Sequence, residues 1–285
     1  MKKLSVLFLL GMWCLSMWGQ KEYIPTPEEL QKFKNTKTLI VLEDNPLSDF
    51  NMVAKETMPV EWKITPFDFI SWKDFEKKRL DPSYSFILLN QVKFQNDKTN
   101  AKYNFLSLLL GGTSPSLGDM ADLCSVPLSY TGVNEDHYSY KLGVFLRFMQ
   151  NHVQMLLDKP DLLSVNIFKH YNDNIADLQG RTIYFVADEL SKDINTLAKI
   201  KKIYGGDVKI VTRDDIKLAI EERTPNVVFL HKVGPEGTRI DSRCYKILVG
   251  VDDAKFYFFN YHNVGDKVDD SDAFLLKDLK HIAKK

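Results

Sequence analysis

The side chains of this chain that do chemistry are scattered rather than gathered into motifs. His137, His152, His170, His231, His262 and His281 stand at no zinc-ligand spacing, and neither His-Glu-x-x-His nor Cys-x-x-Cys occurs. His231 and His262 each follow a predicted strand, so they are the pair that folding would bring together at a metal; no metal or cofactor is expected. There is no Gly-x-Ser-x-Gly nucleophile elbow. Cys244, in Asp241-Ser-Arg-Cys244, has an arginine beside it to favour a thiolate, but it opens an apolar strand and reads as core. Gly111-Gly-Thr-Ser-Pro-Ser-Leu-Gly118 has the glycines of a phosphate loop. It lacks the lysine and the following helix that phosphate binding needs, so it reads as a hairpin loop.

One place does gather complementary groups. Open α/β sheets bind ligands at the carboxyl ends of their strands. In the second half of the chain those ends supply an acid, a guanidinium and an imidazole. Asp188, Arg213 and His231 are therefore the expected site for a polar or anionic ligand, with Glu189, Thr212 and Lys232 beside them. The corresponding ends of the first half supply Asp44, Thr65, Asp68, Asn90 and Gln91, with no arginine. One functional site per chain is expected. Solvated strand ends and helix caps are the bland reading of the same residues. No residue is assigned a catalytic role.

The elements that must position these groups are legible as a repeated pattern. Thr38–Asp44 reads like Thr182–Asp188, Lys63–Asp68 like Lys209–Asp214, Phe86–Asn90 like Val227–His231, and Leu106–Gly111 like Tyr245–Gly250. The order is conserved across four segments. The expected fold class is therefore α/β, a tandem duplication of a β-α-β-α-β-β-β-α unit, with mixed, mainly parallel sheets flanked by helices. Strand two of the first unit is placed at Trp62–Ile64, after a helix from Ser48 that stops before Pro59. The two units are expected at residues 20–158 and 180–285, joined by a linker and helix over 159–179. A long amphipathic helix carries Tyr138, Leu142, Phe145, Met149, Val153 and Leu156 at helical spacing. Alternation in Lys255–His262 puts Phe256, Phe258 and Asn260 on one strand face and Tyr257, Phe259 and Tyr261 on the other. Helices on both sides would bury both sets; an exposed platform for a partner is the alternative.

Met1-Lys2-Lys3 and the apolar run from Leu4 to Trp18 read as a secretory signal peptide over residues 1–19, cut after Ser16 or Gly19. A lipid anchor on Cys14 is disfavoured by the bulky Met12 and Trp13. The chain has 38 basic and 38 acidic residues. Losing Lys2 and Lys3 leaves 36 against 38, a net −2, with no basic footprint for nucleic acid. No later segment is apolar for long enough to span a membrane. Of the remaining cysteines, Cys124 and Cys244 fall one in each half and either form a single bridge between halves or lie as buried thiols. The expected function is that of an exported periplasmic or secreted protein, a non-enzymatic binding or scaffold module for an envelope protein or small polar ligand. An enzyme, with hydrolase as the named option and its site at the strand ends of the second unit, is the alternative. A two-lobed small-ligand receptor is the third.

Overall fold

The computed structural model describes residues 24–284 except 95–99, 113, 115, 165, 237–241, 266 and 268–270. The expected signal peptide and its cleavage positions lie outside the described residues. A short helix α1 (Pro27–Phe33) opens the chain, held by a capping box between Thr26 and Glu29. The first half then runs β1 (Lys37–Val41), α2 (Asp49–Glu61), β2 (Phe67–Ile70), α3 (Trp72–Lys78), β3 (Tyr84–Val92), β4 (Tyr103–Leu110), β5 (Ala121–Tyr130) and α4 (Leu142–Asp158). After α5 (Ile167–Asp173) come β6 (Thr182–Val186), α6 (Leu197–Lys201), β7 (Asp207–Val211), α7 (Arg213–Glu221), β8 (Val227–Val233), β9 (Ser242–Gly250), β10 (Phe256–Val264) and α8 (Leu276–Ala283).

The fold is α/β, with two five-stranded mixed sheets flanked by helices. Their strand orders are β2-β1-β3-β4-β5 and β7-β6-β8-β9-β10. The expectation of mainly parallel sheets is corrected. In each sheet the first three strands pair in parallel and the last two add antiparallel, so the pairings divide evenly. The antiparallel hairpins are also the longer strands, which the short apolar runs of the sequence understate.

Three register readings change as well. Strand two of the first half is Phe67–Ile70 rather than Trp62–Ile64. Helix α2 continues through Pro59 to Glu61, and Trp62 then turns into the core, where its indole N–H donates to Thr65 Oγ1 at 2.8 Å. Strand three is offset by one residue from the reading that set Phe86 against Val227. Thr38 pairs with Ser85 and Thr182 with Val227, which makes Leu89, not Asn90, the counterpart of His231. A slip of one would exchange the two faces of a strand. Strand four is offset by two, which preserves the faces: Leu106 corresponds to Ile247.

Those faces define the packing. Ile40, Ile87, Leu106, Leu108 and Val126 of the first sheet share one apolar core with Phe229, Ile247, Val249 and Phe256 of the second. Helix α4 lies in that core, with Val144, Phe145, Leu146, Met149 and Val153 each fully buried. The outward faces pack separately, Leu39, Val41, Phe86 and Leu88 with Phe75 of α3, and Ile183, Phe185, Val228 and Leu230 with Ile200 of α6 and Leu279 of α8. A β-bulge between Phe256 and Phe258 breaks the expected alternation in β10. Phe256 and Phe259 face the shared core, while Tyr257 and Phe258 both face outward. Gly111 closes the β4 strand where an added Cβ would meet Asp81 O at 2.3 Å and Tyr84 O at 2.7 Å, so the glycine serves close backbone approach. Among the described residues no helix is long and apolar enough to cross a membrane.

Candidate functional site

Helices α2 and α7, one from each half, lie side by side where the halves meet. Each is set by its cap: Ser48 Oγ accepts from Asn51 N, and Thr212 Oγ1 accepts from Asp215 N at 3.1 Å. Between them runs a groove of about 530 Å³. Val53, Thr57, Val60 and Ile220 form its apolar lining, Tyr140 and Gly143 its floor. With no side chain at Gly143 the floor stays low; an added Cβ would rest 3.5 Å from Glu61 Cγ, an ordinary contact.

The groove is acidic. Asp49, Glu56, Glu61, Asp136, Asp214 and Glu221 line it, against Arg213 and Lys217. Glu61 is spoken for, since Arg223 Nη2 donates to it at 2.7 Å and Arg147 Nε lies 3.3 Å away. Asp49, Glu56, Asp214 and Glu221 have no ion-pair partner among the described residues. The Tyr140 hydroxyl is buried without a hydrogen-bond partner, and burial pushes its pKa up.

At the inner end of the groove Arg213 forks onto Asp188, with N–O distances of 3.1 and 3.2 Å. Its Nη2 also lies 3.6 Å from Glu189 Oε1. Two of the three expected ligand residues, Asp188 and Arg213, are thus brought together at the strand ends, bonded to each other. His231 is not with them. It is fully buried on the inner face of β8, where its Nε2 lies 2.9 Å from Pro127 O of the other sheet and its ring packs on Phe145. Burial lowers its pKa well below the imidazole range, so it is neutral and Nε2 donates. Nor does His231 approach His262, which lies in β10 on a different network. Among the described residues no group of three His, Cys, Asp or Glu is placed to hold a metal ion.

Behind Arg213 lies a polar cluster that the sequence did not single out. Lys141, from the turn before α4, is 2% exposed and Glu189 is 4% exposed. Both line a cavity of about 10 Å³ with His137, Lys232 and Glu236. Among the described residues the Lys141 ammonium has no hydrogen bond or ion pair and lies 5.2 Å from the Tyr140 ring centroid, while Glu189 Oε2 has no hydrogen-bond partner. Burial pushes the lysine pKa down and the glutamate pKa up, each partly opposed by the other's charge. Lys232 is satisfied by Asp272 at 2.8 Å, and His137 Nδ1 meets Glu236 across the halves at 2.8 Å. Glu189 and Lys232 were legible as strand-end residues. Lys141 was not, because it falls within the expected amphipathic helix, off the apolar stripe of Tyr138, Leu142 and Phe145.

Cys124 and Cys244 are both free and both buried. The bridge expected as one option is not formed. Cys124 packs in the shared core and Cys244 beside Ala273 O, and burial raises the pKa of each thiol. No family model, no curated protein and no solved structure matches this chain.

Proposed function

We propose that this chain is an exported, non-enzymatic binding protein that holds a small ligand in the groove between its halves. The groove itself carries the reading. Its volume falls within the few hundred to a thousand Å³ typical of ligand sites, and it combines an apolar lining with unpaired polar groups. The two-lobed receptor reading shares this location. Continuity of the apolar core across both halves favours a preformed groove over lobes closing about a hinge. The basic start and apolar run of Lys2–Trp18 support export. A tandem duplication is part of the proposal. It is supported by the identical element order, the identical strand order and the matching division of inward and outward faces. The test is a small-ligand thermal-shift screen on the wild type and on Gly143→Leu, which plugs the floor. Ligands that stabilise the wild type should lose their effect on the variant; hits that stabilise both equally would place the site elsewhere.

A second reading, an enzyme acting at the strand ends of the second half, is favoured by the buried, oppositely shifted Lys141 and Glu189. Under that reading Glu189→Gln abolishes turnover of any substrate found while leaving the fold intact by circular dichroism. Unchanged turnover would remove Glu189 from the chemistry.

A further inference from the structure

Resting on the groove as the ligand site, we propose that its occupant is a linear polyamine, with ammonium groups on the carboxylate rims and methylenes on the apolar floor. The rims are matched. Asp49 and Glu56 stand seven residues apart on α2, and Asp214 and Glu221 stand seven apart on α7. Seven residues are close to two turns, so each pair lies on one helix face with about 10.5 Å between positions. That is the spacing of the two terminal amines in an extended triamine with three- and four-carbon spacers. Between the rims Val53, Val60 and Ile220 offer apolar surface to those spacers.

Charge supports the same occupant. Six carboxylates face two cations in the groove lining, a formal excess of four negative charges, in a chain whose basic and acidic residues are equal in number overall. Glu61 shows how a carboxylate here is satisfied when a cation is supplied, by Arg147 and Arg223. The four rim carboxylates have no such partner among the described residues. An anionic ligand would face repulsion along both rims. A neutral one would leave the rims no better satisfied than water does.

The experiment is isothermal titration with spermidine at low ionic strength, on wild type, on the rim double variant Glu56→Gln/Glu221→Gln, and on Asp207→Asn as an exposed control outside the groove. Wild type and Asp207→Asn should bind alike. The double variant should bind at least tenfold more weakly, the scale of losing one charge-assisted hydrogen bond. Binding should also weaken steeply with added salt. Equal binding by wild type and the double variant would overturn the proposal, as would binding insensitive to salt. If spermidine fails to bind but a neutral or anionic hit is displaced by Gly143→Leu, the polyamine inference falls and the groove survives. If Gly143→Leu displaces nothing, both fall. Matching melting curves for all variants keep loss of binding separate from loss of fold.

Discussion

His152 sits on α4 with its ring against Phe148 and its Nδ1 bonded to the Tyr171 hydroxyl, and burial pushes its pKa down from 6.5 to about 4. His231 and His262 are lowered by burial too. A histidine harder to protonate folded than unfolded makes the unfolded chain the better proton acceptor. Stability is therefore full above about pH 6.5 and falls as pH drops through the window down to about 4. For His152 alone the fall from 6.5 to about 4 amounts to about 3 kcal/mol at most. The urea midpoint should hold from pH 7.5 to about 6.5 and then fall steadily to pH 4.5, and His152→Phe should flatten part of that slope; a constant midpoint would contradict the assignment. Lys246 makes the opposite case, a buried charge that is satisfied. Its Nζ donates to Asp278 Oδ2 and to His262 Nδ1, each at 2.8 Å, with nothing of the lysine exposed. His262 then keeps its proton on Nε2, which donates to Ser271 O. Asp278→Ala would strand the ammonium and should cost about 3–5 kcal/mol by denaturant titration.

Helix α2 shows how local signals and the folded chain part company. Proline disfavours helix, yet Pro59 lies inside α2, and Met58 and Trp62 on either side are buried. Burial of that end outweighs the lost backbone bond. Pro59→Ala should restore it and raise stability by about 1–3 kcal/mol, read as an increase in Tm. An unchanged or lower Tm would mean that Pro59 fits its turn without strain. The same helix explains why strand two was misplaced: of Trp62–Ile64 only Trp62 enters the core, with Lys63 exposed between it and the half-buried Ile64, whereas the true strand, Phe67–Ile70, is a half-exposed edge. Strands one, three and four were legible because they are buried on both faces. Their registers were not, since a run of apolar residues carries no phase. Of the site, Asp188 and Arg213 could be found from strand order alone. The α2 rim could not, because its partner helix lies some 160 residues further along the chain, as the Glu61–Arg223 contact shows with a separation of 162.

At the scale of the molecule the halves hold together through one core and a set of specific bonds. Arg147 of α4 donates to Val251 O at 2.7 Å and Asp252 O at 2.9 Å, and Tyr103 of β4 reaches the backbone of Arg243. Arg181 forks onto Asp252 and Asp253 at 2.8 and 2.9 Å, fixing the β9–β10 turn that α4 grips. Halves so joined should unfold together. Calorimetry on the whole chain should show one transition with equal calorimetric and van't Hoff enthalpies. Residues 180–285 made alone would expose Ile216, Phe229, Ile247 and Val249 and should fail to give dispersed amide resonances; a well-folded fragment would show the halves to be autonomous.

Those seam bonds also set an order in time. The hydrogen bond from His231 to Pro127 joins residues 104 apart, Arg147 to Asp252 105 apart and Tyr103 to Arg243 140 apart. A chain made from its N-terminus has α4 finished while the surface meant to cover it is still a hundred residues from synthesis. At roughly 5–20 residues per second that is an interval of several seconds. Throughout it, the buried face of α4 has no second sheet to lie against. A chaperone that recognises apolar helices would find its binding stretch in Leu142–Leu156, and it would be released only when β9 and β10 arrive.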